Sequence, residues 1–291
     1  MLHLLQKKAK KTVFLFIISL NILLSSIIFA EENISTFDEK WAFNLFGYYN
    51  MGIFGEFGSS PHTTDEPWEI GLGLRYDTIS ASLFIPLSFN QPSNIWPFNF
   101  EIDSYFNNVY YEAYFKHYSN MNVQNANDHD KLDIYSSGIT ATFLHNNKNY
   151  SLSSVIKLDK KQNVSGGSLL YGFGFFHSSL HSATDMANKF SDRQNLLYFG
   201  PSIGYSYTHI FNNGVFLSTS LVHFSNPTIN LNSGKWLYIL QLEPKIVVGH
   251  HHDTWSMNLN IMDRSAFIIW DKYDLDTLTL FSMSIMFSKR F

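Results

Sequence analysis

Apolar and polar residues alternate one by one along most of the chain. In residues 69–76, Ile70, Leu72, Leu74 and Tyr76 share one face, while charged residues and glycines share the other. A repeat of two residues is typical of a β-strand that is apolar on one face only. The same pattern recurs in residues 79–89, 98–103, 109–116, 138–143, 199–208, 255–261 and 281–291. The chain is therefore predicted to be all-β.

A soluble β-sandwich also alternates, and two features favour a transmembrane barrel instead. The polar face is rich in Gly, Ser, Thr and Asn and poor in Lys and Glu, which suits an enclosed lumen better than a solvated surface. Aromatic residues gather near the strand ends, as in the aromatic girdles of outer-membrane barrels. We therefore predict a transmembrane antiparallel β-barrel of about 12 strands over residues 31–291.

The strand count needs one correction to give a regular barrel. About thirteen segments qualify as strands, whereas bacterial barrels normally have an even number. One segment is expected not to be a strand, either Trp41–Met51 or one near Ser168–His177. The longer polar segments are predicted to be loops, most of them on the outer side: residues 50–67, 119–132, 179–196, 226–235 and 263–277.

The first thirty residues differ from the rest of the chain. Four lysines between Lys7 and Lys11 precede an apolar run, and Ala30 stands before two glutamates. This arrangement predicts a secretory signal peptide over residues 1–30. A retained membrane anchor is the alternative, since the apolar run could just span a bilayer. Export and alternation together predict the outer membrane of a Gram-negative cell.

Composition excludes several kinds of function. Removing residues 1–30 takes away four lysines and no acidic residue, so 16 basic and 24 acidic residues remain and the formal charge is −8. A nucleic-acid partner is therefore not expected. The chain has no Cys, which excludes disulfides, thiol chemistry and thiolate metal sites. No cofactor is expected either.

The last strand carries its own signal for the membrane. Phe281, Met283 and Phe287 share one face of residues 281–291, and the chain ends on Phe291. A closing amphipathic strand that ends on Phe resembles the signal read by outer-membrane assembly machinery. The resemblance implies this machinery as a partner, together with outer-membrane lipids, and leaves the oligomeric state open.

The string His-Phe-Ser-Asn at residues 223–226 resembles an element of outer-membrane phospholipases and lipid A deacylases. Residues two apart in a strand share a face, so His223 could take the proton of Ser225. The resemblance implies a serine-type lipid acyl hydrolase with Ser225 as nucleophile and His223 as base. However, Leu237 stands where those families keep the residue that orients the histidine, and a second such string occurs at residues 117–120. Hydrolysis is therefore the alternative function, and an activity other than catalysis is favoured.

Two other groups of residues could carry chemistry. The run from His250 to Asp253 suggests a metal, but adjacent strand residues point to opposite faces, so no metal site is expected. The polar face of the strands, which is predicted to line the lumen, holds charges of both signs. These charges suit either a selective pore or a structural network of ion pairs. Because unpaired buried charges are costly, we favour the network. The charged residues are Glu69, Arg75, Glu101, Asp103, Glu112, Lys116, Lys157, Glu243 and Lys245.

Three stretches resemble an uncharacterised family of outer-membrane barrels, a domain of unknown function. They are residues 109–115, 165–175 and 200–207, the last followed by an Asn213-Gly214 hairpin, and the likeness spans residues 68–262. The resemblance implies the same fold and compartment and no particular activity. The expected function is thus that of an outer-membrane β-barrel protein of unknown activity, either structural or a narrow solute pathway.

Overall fold

The computed structural model describes residues 33–56, 62–65, 68–87, 99–106, 108–124, 131–182, 194–271 and 274–291. The predicted signal peptide, residues 1–30, lies outside them. Residues Asn33–Phe291 form one compact unit. In the described part of the chain, no helix has the length and apolarity that crossing a bilayer requires.

Strands dominate the described residues, with one short α-helix and one 3-10 turn, Asn212–Gly214. The elements are β1 (Ile34–Thr36), β2 (Trp41–Glu56), β3 (His62–Asp65), β4 (Glu69–Tyr76), β5 (Ile79–Pro86), β6 (Asn99–Phe106), β7 (Val109–Gln124), β8 (Lys131–Leu144), α1 (Leu152–Ile156), β9 (Lys160–Gln162), β10 (Gly166–Ser182), β11 (Gln194–Ile210), β12 (Val215–Asn230), β13 (Trp236–His251), β14 (Trp255–Asp271) and β15 (Asp274–Arg290).

Twelve of these strands form a closed antiparallel barrel. Each pairs with the next along the wall in the order β2, β4, β5, β6, β7, β8, β10, β11, β12, β13, β14 and β15. The ring closes where β15 pairs with β2, from Asp276 beside Glu56 to Arg290 beside Ala42. This confirms the predicted all-β barrel of about 12 strands.

Both segments suspected of not being strands belong to the wall, so that expectation was wrong. Trp41–Met51 lies in β2, and Ser168–His177 lies in β10. Their alternation is hard to read because the lumen-facing Phe46 and Phe176 are buried and as apolar as their outward-facing neighbours. Aromatic residues on both faces hide the period of two.

The wall is apolar outside and polar inside. On β4, Ile70 and Leu72 are 43% and 49% exposed, whereas Glu69 and Arg75 are 3% and 2% exposed. This is the reverse of a soluble protein and matches a barrel whose outer face meets lipid.

The barrel has two different ends. At the terminal end, the chain enters β2 and leaves β15, and most connections are short. At the opposite end, which we call the loop end, connections such as residues 183–193 are longer. Several predicted loops were too long, because β12 continues to Asn230 and β14 to Asp271. In this part of β12, Asn226, Thr228 and Asn230 face the lumen and are buried, and these polar residues made the stretch look like a loop.

The wall narrows towards the loop end. Strands β4, β5 and β6 have 8 residues each, whereas β2 and β7 have 16. Above these short strands, β3 pairs with both β2 and β7 and so replaces three strands by one. At the terminal end, β1 and β9 form a separate two-stranded sheet.

Candidate functional site

The connection between β8 and β10 turns back into the lumen at the terminal end, and we call residues 145–165 the plug. Tyr150, Leu152 and Leu158 of the plug are buried. The hydroxyl groups of Tyr150 and Ser206 lie 2.5 Å apart. Asn258 on β14 donates from Nδ2 to the carbonyl of Val155 at 2.7 Å. The plug is thus bonded to strands on different sides of the barrel.

Serine capping explains why a helix of only five residues forms in the plug. Ser151 is the N-cap of α1, and its Oγ accepts a hydrogen bond from the backbone N–H of Ser154 at 3.2 Å. The backbone N–H of Ser151 donates to Oε1 of Gln162 at 3.1 Å. Such caps satisfy amide groups at a helix start that would otherwise be buried without a partner.

Two arginines from the wall hold the end of the plug. Leu158 has a positive φ of 56°, which ends the helical path of the chain. Its carbonyl accepts hydrogen bonds from Nη1 of Arg75 at 3.4 Å and from Nη1 of Arg290 at 3.3 Å. Arg290 also donates to Oγ of Ser256 at 3.0 Å, and its guanidinium carbon lies 3.4 Å from the ring centre of Phe37. The closing strand is therefore tied to the plug.

Lys157 forms ion pairs with two carboxylates on β6. Its Nζ donates a short hydrogen bond to Glu101, and Oδ2 of Asp103 lies 2.8 Å away as an ion pair without hydrogen-bond alignment. Burial alone would lower the pKa of Lys157, but the carboxylates of Asp103 and Glu101 outweigh it and hold that pKa well above its ordinary value. Lys157 therefore stays charged and paired.

The sequence pattern assigned Lys157 to the polar phase of a strand, and this was wrong. Lys157 follows α1 inside the plug. The prediction of a lumenal charge was nevertheless useful, because Lys157 does reach the carboxylates of the wall. A lysine that enters the lumen from a turn and one that enters from a strand look alike in the sequence.

A second ion pair lies in the same layer. Arg264 on β14 pairs with Glu243 on β13, and Gln241 donates to the same carboxylate. Glu112 accepts a long hydrogen bond of 3.4 Å from the hydroxyl of Tyr110. Charges of both signs thus cross-link the middle of the lumen.

Small cavities interrupt this charged layer. One of about 80 Å³ is lined by charged side chains that include Glu101, Glu112, Lys116, Lys157, Lys245 and Arg264. Two neighbouring cavities measure about 80 and 60 Å³. Polar cavities of this size hold a few water molecules.

Aliphatic side chains pack together inside the lumen at the loop end. We call this cluster the collar, and each of its members is less than 8% exposed. The collar consists of Ile134, Leu180, Leu196, Leu237, Ile239 and Ile268. It lies on the inner faces of five strands, so the lumen is packed above the charged layer as well as below it.

His223 and Ser225 lie on the outer face of β12, while Asn226 faces inward and is fully buried. The hydroxyl of Ser225 bonds the hydroxyl of Tyr238 on β13. Within the described residues, no hydrogen bond joins His223 to Ser225. The two predicted residues therefore share a face, but Ser225 has a tyrosine as its partner.

The histidines near the β13–β14 turn do not point to one position. His251 is buried, and its Nδ1 lies 3.0 Å from Oγ of Ser256. The rings of His250 and His252 lie against Trp255, at 5.3 and 5.5 Å between ring centres. Over the described ranges, no group of three side chains is arranged to hold a metal ion.

Sequence reasoning placed Arg75 on the lumen side of the wall but missed the plug that Arg75 and Arg290 bind. The spacing from Leu144 to Gly166 is unusually long for a connection at the terminal end, where the other turns are short. That length and the serines at positions 151, 153 and 154 were the available signals.

Comparison with known proteins identifies a family but no activity. The family described as a domain of unknown function, DUF4421, matches residues 56–287. This confirms the resemblance seen in the sequence and extends it at both ends. No curated protein sequence is significantly similar to this chain.

Several solved structures show a loose likeness to the barrel. The outer-membrane protease OmpT from Escherichia coli is 9% identical with a TM-score of 0.37, over 92% of this chain and 99% of that one. The outer-membrane protein OprG from Pseudomonas aeruginosa is 10% identical with a TM-score of 0.22, over 87% and 97%. The toluene transporter TbuX from Ralstonia pickettii is 9% identical with a TM-score of 0.24, over 87% and 90%.

Proposed function

Because this chain belongs to the DUF4421 family, a domain without an assigned activity, we propose its function from the lumen: a sealed, structural barrel of the outer membrane. The observation that carries the proposal is the plug, which Lys157 anchors to Glu101 and Asp103. An open diffusion pore needs a continuous aqueous lumen, and the proposal is supported by the buried side chains of the plug in the terminal half and of the collar in the loop half.

The direction of insertion follows from the two ends. Outer-membrane barrels have short periplasmic turns and longer extracellular loops. The terminal end is therefore expected to face the periplasm, and the predicted signal peptide of residues 1–30 accounts for export. In this orientation the plug closes the periplasmic mouth.

Conductance in planar bilayers tests this proposal. Purified residues 31–291 should insert without producing steady channels. Lys157→Met should produce channel events, because Glu101 and Asp103 lose their shared cation and the plug loosens. Lys148→Met is the matched control, since Lys148 is an exposed lysine in the same segment, and it should stay silent. Steady conductance of the unchanged protein would contradict the sealed barrel and favour a narrow solute pathway.

A lipid acyl hydrolase is the second candidate. Its support is that His223 and Ser225 lie two residues apart on the outer face of β12, where an acyl ester can reach them. Ser225→Ala should then abolish hydrolysis of a lipid ester by the folded barrel. The control is Ser137→Ala, a serine on the outer wall at β8. Equal hydrolysis by both variants, or none by the unchanged protein, would remove this candidate.

A further inference from the structure

Among the described residues, one outward-facing carboxylate, Asp263, lies at the edge of the apolar band. We define this band by the Trp41–Tyr76 ring contact near the terminal end and the Tyr49–Trp68 contact near the loop end. Asp263 on β14 lies at the level of the Tyr49–Trp68 contact, because Asp263 and Tyr49 are each eight residues beyond the first residue of their strand. Its neighbours Met262 and Arg264 line the lumen, so alternation turns Asp263 outward. A carboxylate costs little at this boundary, and a fixed hydrogen-bond donor opposite it adds a favourable contact.

The partners of Asp263 within its own chain are weak. The hydroxyl of Ser265 donates to both carboxylate oxygens, each at 3.3 Å. No cation in the described residues forms an ion pair with Asp263. One hydroxyl does not replace the hydration of a carboxylate, so Asp263 can accept a further donor from outside the chain.

His223 is a second polar exception, and it lies at the same height. Val222 and Phe224 line the lumen, so His223 also faces outward. It is eight residues beyond Val215, the first residue of β12, and Asp263 is eight residues beyond Trp255, the first residue of β14. At 3.3 Å per residue and a tilt near 40°, both lie about 20 Å from the terminal end of the wall.

The surface between these two residues is apolar. Strand β13 separates β12 from β14, and Leu242 of β13 pairs with His223. Leu242 and Ile246 are 37% and 49% exposed on the outer face, with Pro244 between them. The apolar outer face of β13 is thus flanked at equal height by an imidazole on one side and a carboxylate on the other.

We propose that this face, on β12, β13 and β14, binds a second copy of the chain in the membrane. The twofold axis runs along the membrane normal and passes over Leu242 and Pro244. It leaves every residue at the same height in the membrane and sets the left side of this face in one copy against the right side in the other. It therefore sets His223 of each copy opposite Asp263 of the other. Twofold interfaces are reciprocal in this way, so one symmetry operation gives both carboxylates a donor.

A second copy fits this surface better than a soluble partner does. The exposed face stands on the side of the barrel within the lipid band, and only another membrane-inserted molecule can reach it there. Copies of one protein are inserted to the same depth, so their His223 and Asp263 side chains meet without further adjustment. The imidazole supplies Asp263 with a hydrogen-bond donor in addition to Ser265.

Cysteine cross-linking in membranes tests the proposed pairing directly, because the chain has no Cys of its own. One copy carries His223→Cys and the other carries Asp263→Cys. The two copies have tags of different length and are expressed together. A disulfide-linked heterodimer is expected, in larger amount than the homodimer of either variant alone. Ile102→Cys on β6, six strands away around the wall, is the control and should remain monomeric.

Two results of the cross-linking would overturn the proposal. One is a monomer in every combination. The other is equal cross-linking of the Ile102→Cys control, which would indicate random collisions in the membrane.

A charge swap measured by native mass spectrometry provides an independent test. The unchanged protein should have twice the mass of one copy. His223→Asp places acid against acid and should release monomers, and the double variant His223→Asp with Asp263→His should restore the doubled mass. A heat-dependent gel shift verifies that each variant is folded.

Two results of the charge swap would contradict the dimer. A doubled mass that survives in folded His223→Asp would exclude the pairing of these residues. A monomer that carries an amine lipid, lost in Asp263→Asn, would assign the carboxylate to a lipid headgroup instead.

Discussion

The two halves of the lumen are packed by different kinds of interaction. In the terminal half, the plug is held by directional contacts, such as the Lys157 ion pairs and the hydrogen bonds of Leu158 to Arg75 and Arg290. In the loop half, the collar is a cluster of aliphatic side chains without charges. One wall therefore supports a polar closure and an apolar closure within the same lumen.

This difference determines how each closure can fail. A buried ion pair depends on both partners, because removing one leaves an uncompensated charge. An aliphatic cluster depends on filled volume, because a smaller side chain leaves a cavity. Removing a single charge should thus release the plug. Replacing an aliphatic side chain of the collar by a smaller one should instead lower the free energy of unfolding in proportion to the volume removed.

The largest effect is expected from Lys157→Met. The substitution leaves Glu101 and Asp103 in the lumen without their shared cation. We expect the free energy of unfolding to fall by about 4 kcal/mol, as is typical when one partner of a buried pair is removed. Denaturant titration of the barrel in detergent, followed by tryptophan fluorescence, measures this change. The exposed Lys148→Met should change it by less than about 0.5 kcal/mol, and equal losses in the two variants would contradict the ion-pair explanation.

A smaller loss is expected from Leu196→Ala in the collar. Leu196 is 2% exposed among aliphatic neighbours, so its truncation should cost about 3 kcal/mol. Because the plug is untouched, planar bilayers should stay silent in this variant. The matched control is Leu72→Ala on the outer face of β4, where lipid can fill the space. Channel events in Leu196→Ala would show that the two closures are not independent.

The smallest effect is expected from Tyr150→Phe. This change removes the hydroxyl that lies 2.5 Å from Ser206 but keeps the buried ring. Ser206 can still donate to the carbonyl of Thr219 at 3.2 Å, so the loss should be about 1 kcal/mol. The same titration measures it, with the outward-facing Tyr171→Phe as control. A loss as large as that of Lys157→Met would mean that hydrogen bonds rather than ion pairs hold the plug.

The wall of the barrel was predictable from the sequence because alternation is a local property. Residues 69–76 read as a strand, and β4 has those bounds in the structure. The sequence also located the lumenal acids Glu101 and Asp103 by their phase in β6. Which positive charge meets them was not predictable, because Lys157 arrives from a turn that lies far away in the sequence.

The plug could not be recognised from the sequence for a physical reason. Its helix, α1, has five residues, too few to show a helical period. Its stability comes from contacts with the wall, such as the hydrogen bond from Asn258 to the carbonyl of Val155, and these exist only once the ring has closed. Local pattern therefore specified the wall, and tertiary contacts specified what fills it.

Thiol labelling of the plug is the most direct measurement of whether the lumen is closed. Ser154 is fully buried in the plug, and Lys148 is exposed in the same segment, so Ser154→Cys and Lys148→Cys form a matched pair in a chain without other Cys. A water-soluble maleimide should label Lys148→Cys at once and Ser154→Cys only after the barrel is unfolded. Labelling of both at the same rate in the folded protein would contradict a plugged lumen.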